Sequence, residues 1–111
     1  TARSLKNGKI ETIAENQRSI CDALQVNKPG KLTFSINKIL LSGGLTVTDE
    51  DILKAMSLAF FREKLVLEPG GAAALAAIMA KTIDIGGKNV VVVLSGGNVD
   101  PETYKHSIES L

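Results

Sequence analysis

The chain has 111 residues, 44% apolar and 4% aromatic, with a formal charge of +1, which suits one small domain or part of a larger one. So balanced a charge leaves no nucleic-acid or polyanion footprint. A single cysteine, Cys21, excludes an internal disulfide framework, and no stretch is long and apolar enough to cross a membrane as a helix.

Thr1-Ala2-Arg3-Ser4-Leu5-Lys6 has neither a Met nor a signal-peptide pattern and reads as the middle of a helix, so the chain is expected to be a fragment of a longer protein. That first helix should stop at Asn7-Gly8. Ser19 to Leu24 fits either a short helix or a packed loop, and Asn27-Lys28-Pro29-Gly30 is a turn. In Leu32 to Ser42, Leu32, Phe34 and Ile36 alternate like a strand, while Leu32, Ile36, Ile39 and Leu40 share a helical face. The apolar run continues through Leu41 and Gly43 can cap it, which favours a helix.

Gly44 to Thr48 alternates and predicts a short strand. Thr48-Asp49-Glu50-Asp51 then resembles a capping box with acids in the first turn, opening a helix to about Lys64. Ile52, Met56, Ala59, Phe60 and Glu63 share one face of it, and Met56, Phe60 and Phe61 are expected in the core. Leu65-Val66-Leu67 leads to Glu68-Pro69-Gly70-Gly71 and an alanine-rich helix from about Ala72 to Lys81. Its small side chains permit close approach to a sheet or a second helix, although alanine is also simply the best helix former. Gly86-Gly87 turns the chain, and Asp100-Pro101-Glu102 opens the last helix.

Asn89 to Leu94 is almost wholly apolar without alternation, the pattern of a strand buried on both faces in a parallel sheet covered by helices. Ligands bind beyond the carboxyl ends of such strands, and Ser95 falls there. Gly96 and Gly97 would remove side chains where a ligand approaches the backbone. The same residues also describe a tight turn into the last helix, the commoner meaning of so short a motif. The four Gly-Gly pairs form no phosphate-loop pattern. His106, near Glu102, Lys105 and Glu109, reads as a solvated residue, and no metal set or Ser-His-Asp constellation can be assembled.

Glu68-Pro69-Gly70-Gly71-Ala72-Ala73-Ala74-Leu75-Ala76-Ala77, followed by Val91-Val92-Val93-Leu94-Ser95-Gly96-Gly97-Asn98-Val99-Asp100, resembles the C-terminal part of the pyridoxal-phosphate-dependent serine/threonine dehydratases. That family includes serine racemase and has the tryptophan-synthase β type of fold, fold type II. Thr1 to Leu5 and Thr48 to Ile52 match as well, so the resemblance covers nearly the whole chain. It implies an α/β architecture, with parallel strands covered by helices on both faces. Residues 1–111 would be a single piece, the C-terminal portion of the large catalytic domain, with the N-terminal portion absent.

The resemblance also implies pyridoxal 5'-phosphate as cofactor. Ser95 matches the family serine that hydrogen-bonds the ring nitrogen, with Gly96 beside it. A neutral hydroxyl donates a hydrogen bond to that nitrogen, whereas a carboxylate would hold it protonated. A serine there makes the ring a weaker electron sink and favours loss of a β-hydroxyl over transamination. Glu68 matches an acidic residue of the pocket wall, although an acid at a helix terminus needs no such role. Asp22-Ala23 matches an Asp-Gly pair whose glycine lies against one face of the ring, so Ala23 would set a methyl there. Val26 stands where the racemase has serine, which favours an eliminating enzyme.

The family's cofactor lysine, asparagine loop and glycine-rich phosphate cup lie upstream of Thr1, as does its divalent-cation site. No catalytic residue and no metal ligand is therefore expected in this chain, which alone should be inactive. The full-length protein is expected to be a cytoplasmic, homo-oligomeric ammonia-lyase acting on a small β-hydroxy amino acid and giving a 2-oxo acid and ammonia. No nucleic-acid or membrane partner is implied. A non-catalytic α/β oligomerising module, and a racemase or hydroxyaspartate dehydratase of the same family, remain as alternatives.

Overall fold

A computed structural model describes residues 1–14 and 18–109. Helix α1 spans Ala2–Asn7 and ends where Gly8 adopts the left-handed conformation, φ 68°, as its sequence requires. A 3-10 turn, Asp22–Leu24, precedes α2, Lys31–Leu40. Helix α3 spans Asp49–Leu58 and continues as a wider π turn, Ala59–Glu63. Helices α4, Pro69–Met79, and α5, Pro101–Glu109, complete the set.

The start of α3 is built as its four residues dictate. Thr48 Oγ1 accepts the Asp51 N–H at 3.1 Å, and Asp51 Oδ2 accepts the Thr48 N–H at 3.0 Å, so two orphan donors are satisfied reciprocally. Hydrogen bonds from the Thr48 hydroxyl and N–H hold the Asp51 carboxyl below the usual carboxylate range. Helix α5 opens similarly, with Asp100 Oδ1 accepting the Thr103 N–H at 2.9 Å ahead of the first-turn Pro101.

The core lies between α3 and α4. Ile52, Ala55 and Met56 of α3, Ala59 of the π turn, and Ala72 and Ala76 of α4 form one buried cluster, joined by Cys21 and Leu67. Four of these residues are alanines with no exposed surface, so the two helices approach closely and the alanine-rich stretch packs on a helix. Helix α5 closes the other flank of α3, where Tyr104 meets Phe60 edge-to-face at 5.7 Å. Burial pushes the Tyr104 phenol up.

Several expectations are revised. Helix α2 ends at an extended Leu41, φ −90° and ψ 132°, rather than at a Gly43 cap, and the Leu41 N–H still reaches the Asn37 carbonyl at 2.9 Å. Helix α4 begins at Pro69, three residues before Ala72, because proline and glycine are tolerated in a first turn whose N–H groups have no intrahelical partner. Phe61 is 47% exposed rather than core, since even at the ordinary helical period it lies nearly opposite the face that carries Ile52, Met56 and Ala59.

The expected strands are not formed among the described residues: neither Gly44–Thr48 nor Asn89–Leu94 pairs into a ladder. A strand exists only through a ladder of hydrogen bonds to a neighbour, and neither stretch makes one among the described residues. Nor is Asn89–Leu94 doubly buried. Val91 is 92% and Val93 70% exposed, while Val92 and Leu94 are half-buried. This is the period of two of a strand with one face covered and one open. Helix α2 is also open, with only Phe34 buried and Leu32, Ile36, Ile39 and Leu40 exposed on the face that the sequence assigned to packing.

Candidate functional site

The two halves of the sequence motif meet at the start of α4. A Cβ at Gly71 would lie 2.5 Å from the Gly96 carbonyl oxygen and 2.9 Å from the Gly96 nitrogen. At Gly96 a Cβ would lie 2.5 Å from Glu68 Oε1, and at Gly97 2.6 Å from the Val66 carbonyl oxygen. At Gly71 and Gly97 the obstructing atoms are main chain and leave no room for a side chain, whereas at Gly96 the Glu68 side chain would have to swing away. The Glu68 N–H donates to the Gly96 carbonyl at 3.0 Å and fastens the contact. On the side where a Cβ would stand, Glu68 and Val66 fill the space at Gly96 and Gly97, so these glycines let two stretches of chain interlock.

Ser95 immediately precedes this interlock, on the exposed side of its segment with Val91 and Val93. A serine that merely shapes a turn bonds the neighbouring backbone. The Ser95 hydroxyl makes no hydrogen bond to any described residue, so it is available to a ligand. The Glu68 side chain does not cap α4 and is half-buried against Gly96.

Ala23 reaches the same place from the other end of the chain. Asp22 Oδ1 accepts the Ala23 N–H at 2.7 Å within the 3-10 turn. A Cβ at Gly70 would lie 3.5 Å from Leu24 Cγ and 3.9 Å from Ala23 Cβ, so this turn packs on the first turn of α4. Ala23, Glu68 and Gly96 are therefore gathered around the start of α4, with Ser95 next in chain. A small polar cleft of about 280 Å³ borders it, with Asp22, Pro69, Asn98 and Asp100 in its lining.

The tertiary role of Asp49 was missed by sequence reasoning. Its carboxylate accepts the Ser19 hydroxyl at 2.5 Å and the Ile20 N–H at 3.2 Å, while Ser19 Oγ accepts the Cys21 N–H at 3.1 Å. Cys21 is only 5% exposed, and burial pushes its thiol up, partly offset by the Ser19 hydrogen bond. No local pattern announces a contact between residues so far apart in the chain.

A groove of about 720 Å³ runs along Leu45, Val47, Ala77, Ile78, Ile85 and Val92 and includes none of Ser95, Glu68 and Ala23. Its lining is aliphatic apart from Asp84, Lys88 and Asn89, so it offers packing surface rather than chemistry. Among the described residues, no three His, Cys, Asp or Glu side chains are grouped to hold a metal ion.

Residues 1–96 match the family described as pyridoxal-phosphate dependent enzyme. The chain is 37% identical to an L-threonine ammonia-lyase of Thermotoga maritima, over 87% of this chain and 24% of the relative. It is 36% identical to a serine racemase of Schizosaccharomyces pombe, over 94% of this chain and 32% of that protein. Among solved structures, the threonine deaminase of T.th. superposes with a TM-score of 0.80 at 36% identity, covering 89% of this chain and 33% of that one. Maize serine racemase gives 0.81 at 31% identity, over 97% and 35%. The chain spans about a quarter to a third of the length of these relatives.

Proposed function

We infer, from the premise that this chain belongs to the pyridoxal-phosphate-dependent enzyme family, that it is the C-terminal portion of the catalytic domain of an ammonia-lyase acting on a small β-hydroxy amino acid. The observation that carries this reading is the Ser95 hydroxyl, exposed and without a partner among the described residues, beside a glycine interlock that fixes its backbone. The residues present fit the cofactor. Ser95 would donate to the ring nitrogen, Gly96 would hold that serine in place, Ala23 would lie against one ring face, and Glu68 would stand in the wall. When bound, the cofactor supplies an electron sink for bond breaking at the substrate's α-carbon. Ser95 keeps that sink neutral, which favours elimination of the β-hydroxyl.

The α/β architecture belongs to this proposal. Gly44–Thr48 and Asn89–Leu94 become parallel strands when the remainder of the family fold lies against their open edges, with the aliphatic groove filled. Val91 and Val93 are then covered, which accounts for a segment apolar on both sides. The open stripe Leu32, Ile36, Ile39 and Leu40 further supports assembly through apolar contacts. The chain alone is expected to sediment as a dimer or larger species, and a well-behaved monomer at high concentration would contradict that.

The activity is tested by assaying a full-length enzyme that carries this segment for 2-oxo acid and ammonia from threonine, serine and hydroxyaspartate. Release from at least one of them is expected, and none from residues 1–111 alone, whose lysines match no family cofactor-lysine motif. Inversion of serine without 2-oxo acid would move the assignment to a racemase. A full-length protein that retains no cofactor would favour the non-catalytic module.

A further inference from the structure

We propose that Asp49 is a positioning residue whose carboxylate, at the start of α3, holds the Ser19–Cys21 loop and thereby places Ala23 against the start of α4. The role toward the cofactor rests on the site proposed above, whereas the clamp itself does not. Both Asp49 oxygens are used, one by the Ser19 hydroxyl and one by the Ile20 N–H. Hydrogen bonds to an ionised acceptor are the stronger kind, and a carboxylate in the first turn of a helix is further favoured by its positive end. Ser19 relays the restraint by accepting the Cys21 N–H, and on the far side of Ala23 the Gln25 side-chain amide donates to the Ser19 carbonyl. The loop is therefore tied on both sides of Ala23. Cys21 is pressed into the cluster that contains Ile52 of α3 and Ala72 of α4. Asp49 thus couples the first turn of α3 to the first turn of α4, where Ala23, Glu68 and Gly96 meet.

Cys21, the chain's only cysteine, reports on this clamp without any cofactor. A buried thiol reacts with an aromatic disulfide reagent only when its surroundings open. Asp49→Ala and Ser19→Ala are each expected to speed Cys21 labelling in the 111-residue chain by about tenfold or more, the effect of losing hydrogen bonds to a charged group. Ser19→Ala is the discriminating variant. Loss of its hydrogen bond by itself pushes the Cys21 thiol up and slows thiolate chemistry, and the Asp49 charge remains, so faster labelling reports release of the loop. The increase should be insensitive to urea below the unfolding transition, since a local opening exposes little surface. Labelling within about twofold of the parent in both variants, or a rate rising steeply with low urea, overturns the clamp.

In the full-length enzyme, Asp49→Ala is expected to weaken retention of pyridoxal phosphate on dialysis, read from the bound cofactor's absorbance, with rescue by Asp49→Glu. If the loop opens but retention holds while Ser95→Ala still weakens it, the positioning role is overturned and the cofactor site stands. If neither variant changes retention, the site itself has been misplaced and the role falls with it.

Discussion

Gly71→Ala is expected to destabilise this chain strongly for the addition of a single methyl. The new Cβ would meet the carbonyl oxygen and nitrogen of Gly96 at 2.5 and 2.9 Å, and both are main-chain atoms that cannot rotate away. Either α4 or the Ser95–Gly97 segment must move, and the Glu68 N–H bond to Gly96 at 3.0 Å goes with it. Overpacking of this kind costs about 1–3 kcal/mol. In a chain of this size that lowers the thermal midpoint by on the order of 5–20 °C. Gly43→Ala is the matched control. A Cβ there meets nothing within 4 Å and its backbone is not left-handed, so the change should be neutral or stabilise by up to about 1 kcal/mol through the unfolded state. Thermal unfolding followed by far-UV circular dichroism separates the two. Equal midpoints would show that α4 and Gly96 are not in the contact described. In a full-length enzyme the same Gly71→Ala change should loosen the cofactor as well, because it displaces the residue beside Ser95.

What could be read from the sequence was mostly local. The capping box at Thr48 and Asp51, the Asp100-Pro101 start of α5 and the left-handed Gly8 each depend on residues within one turn, so the pattern and the geometry coincide. The buried face of α3 and the turn after it was legible through Ile52, Met56 and Ala59 because a period of 3.6 marks it, and the same period sets Phe61 off that face, so its bulk and apolar character alone suggested the core. The glycines were visible as a motif but their purpose was not. Each clears space for a stretch of chain far away in sequence, and nothing in Gly71 names Gly96 as the atom it avoids. The bond between Ser19 and Asp49 is hidden for the same reason. Double burial of Asn89–Leu94 is a statement about neighbours. The residues carry the apolar pattern, but no described residue covers Val91 and Val93, so the pattern alone could not show one face open.

Ser95 yields a second large effect, on chemistry rather than stability. With Ser95 in its proposed role, Ser95→Ala in a full-length enzyme carrying this segment would remove one hydrogen bond to the cofactor, about 0.5–1.5 kcal/mol net, and should weaken cofactor retention from a few-fold to about tenfold. The fold should not suffer, since the hydroxyl is exposed and bonds no described residue. Ser95→Asp should act differently. A carboxylate at the ring nitrogen favours its protonated form, strengthens the electron sink, and should shift product from 2-oxo acid formed by elimination toward transamination or racemisation. The ratio of eliminated to transaminated or racemised product, measured on the folded cofactor-bound fraction, reads this directly. A turn serine predicts another pair of outcomes: both variants lose stability, while cofactor affinity and product ratio stay as they were. The hydroxyl, without a partner among the described residues, argues for the first pair, because a serine held for its turn would already be spending its hydrogen bond on the backbone.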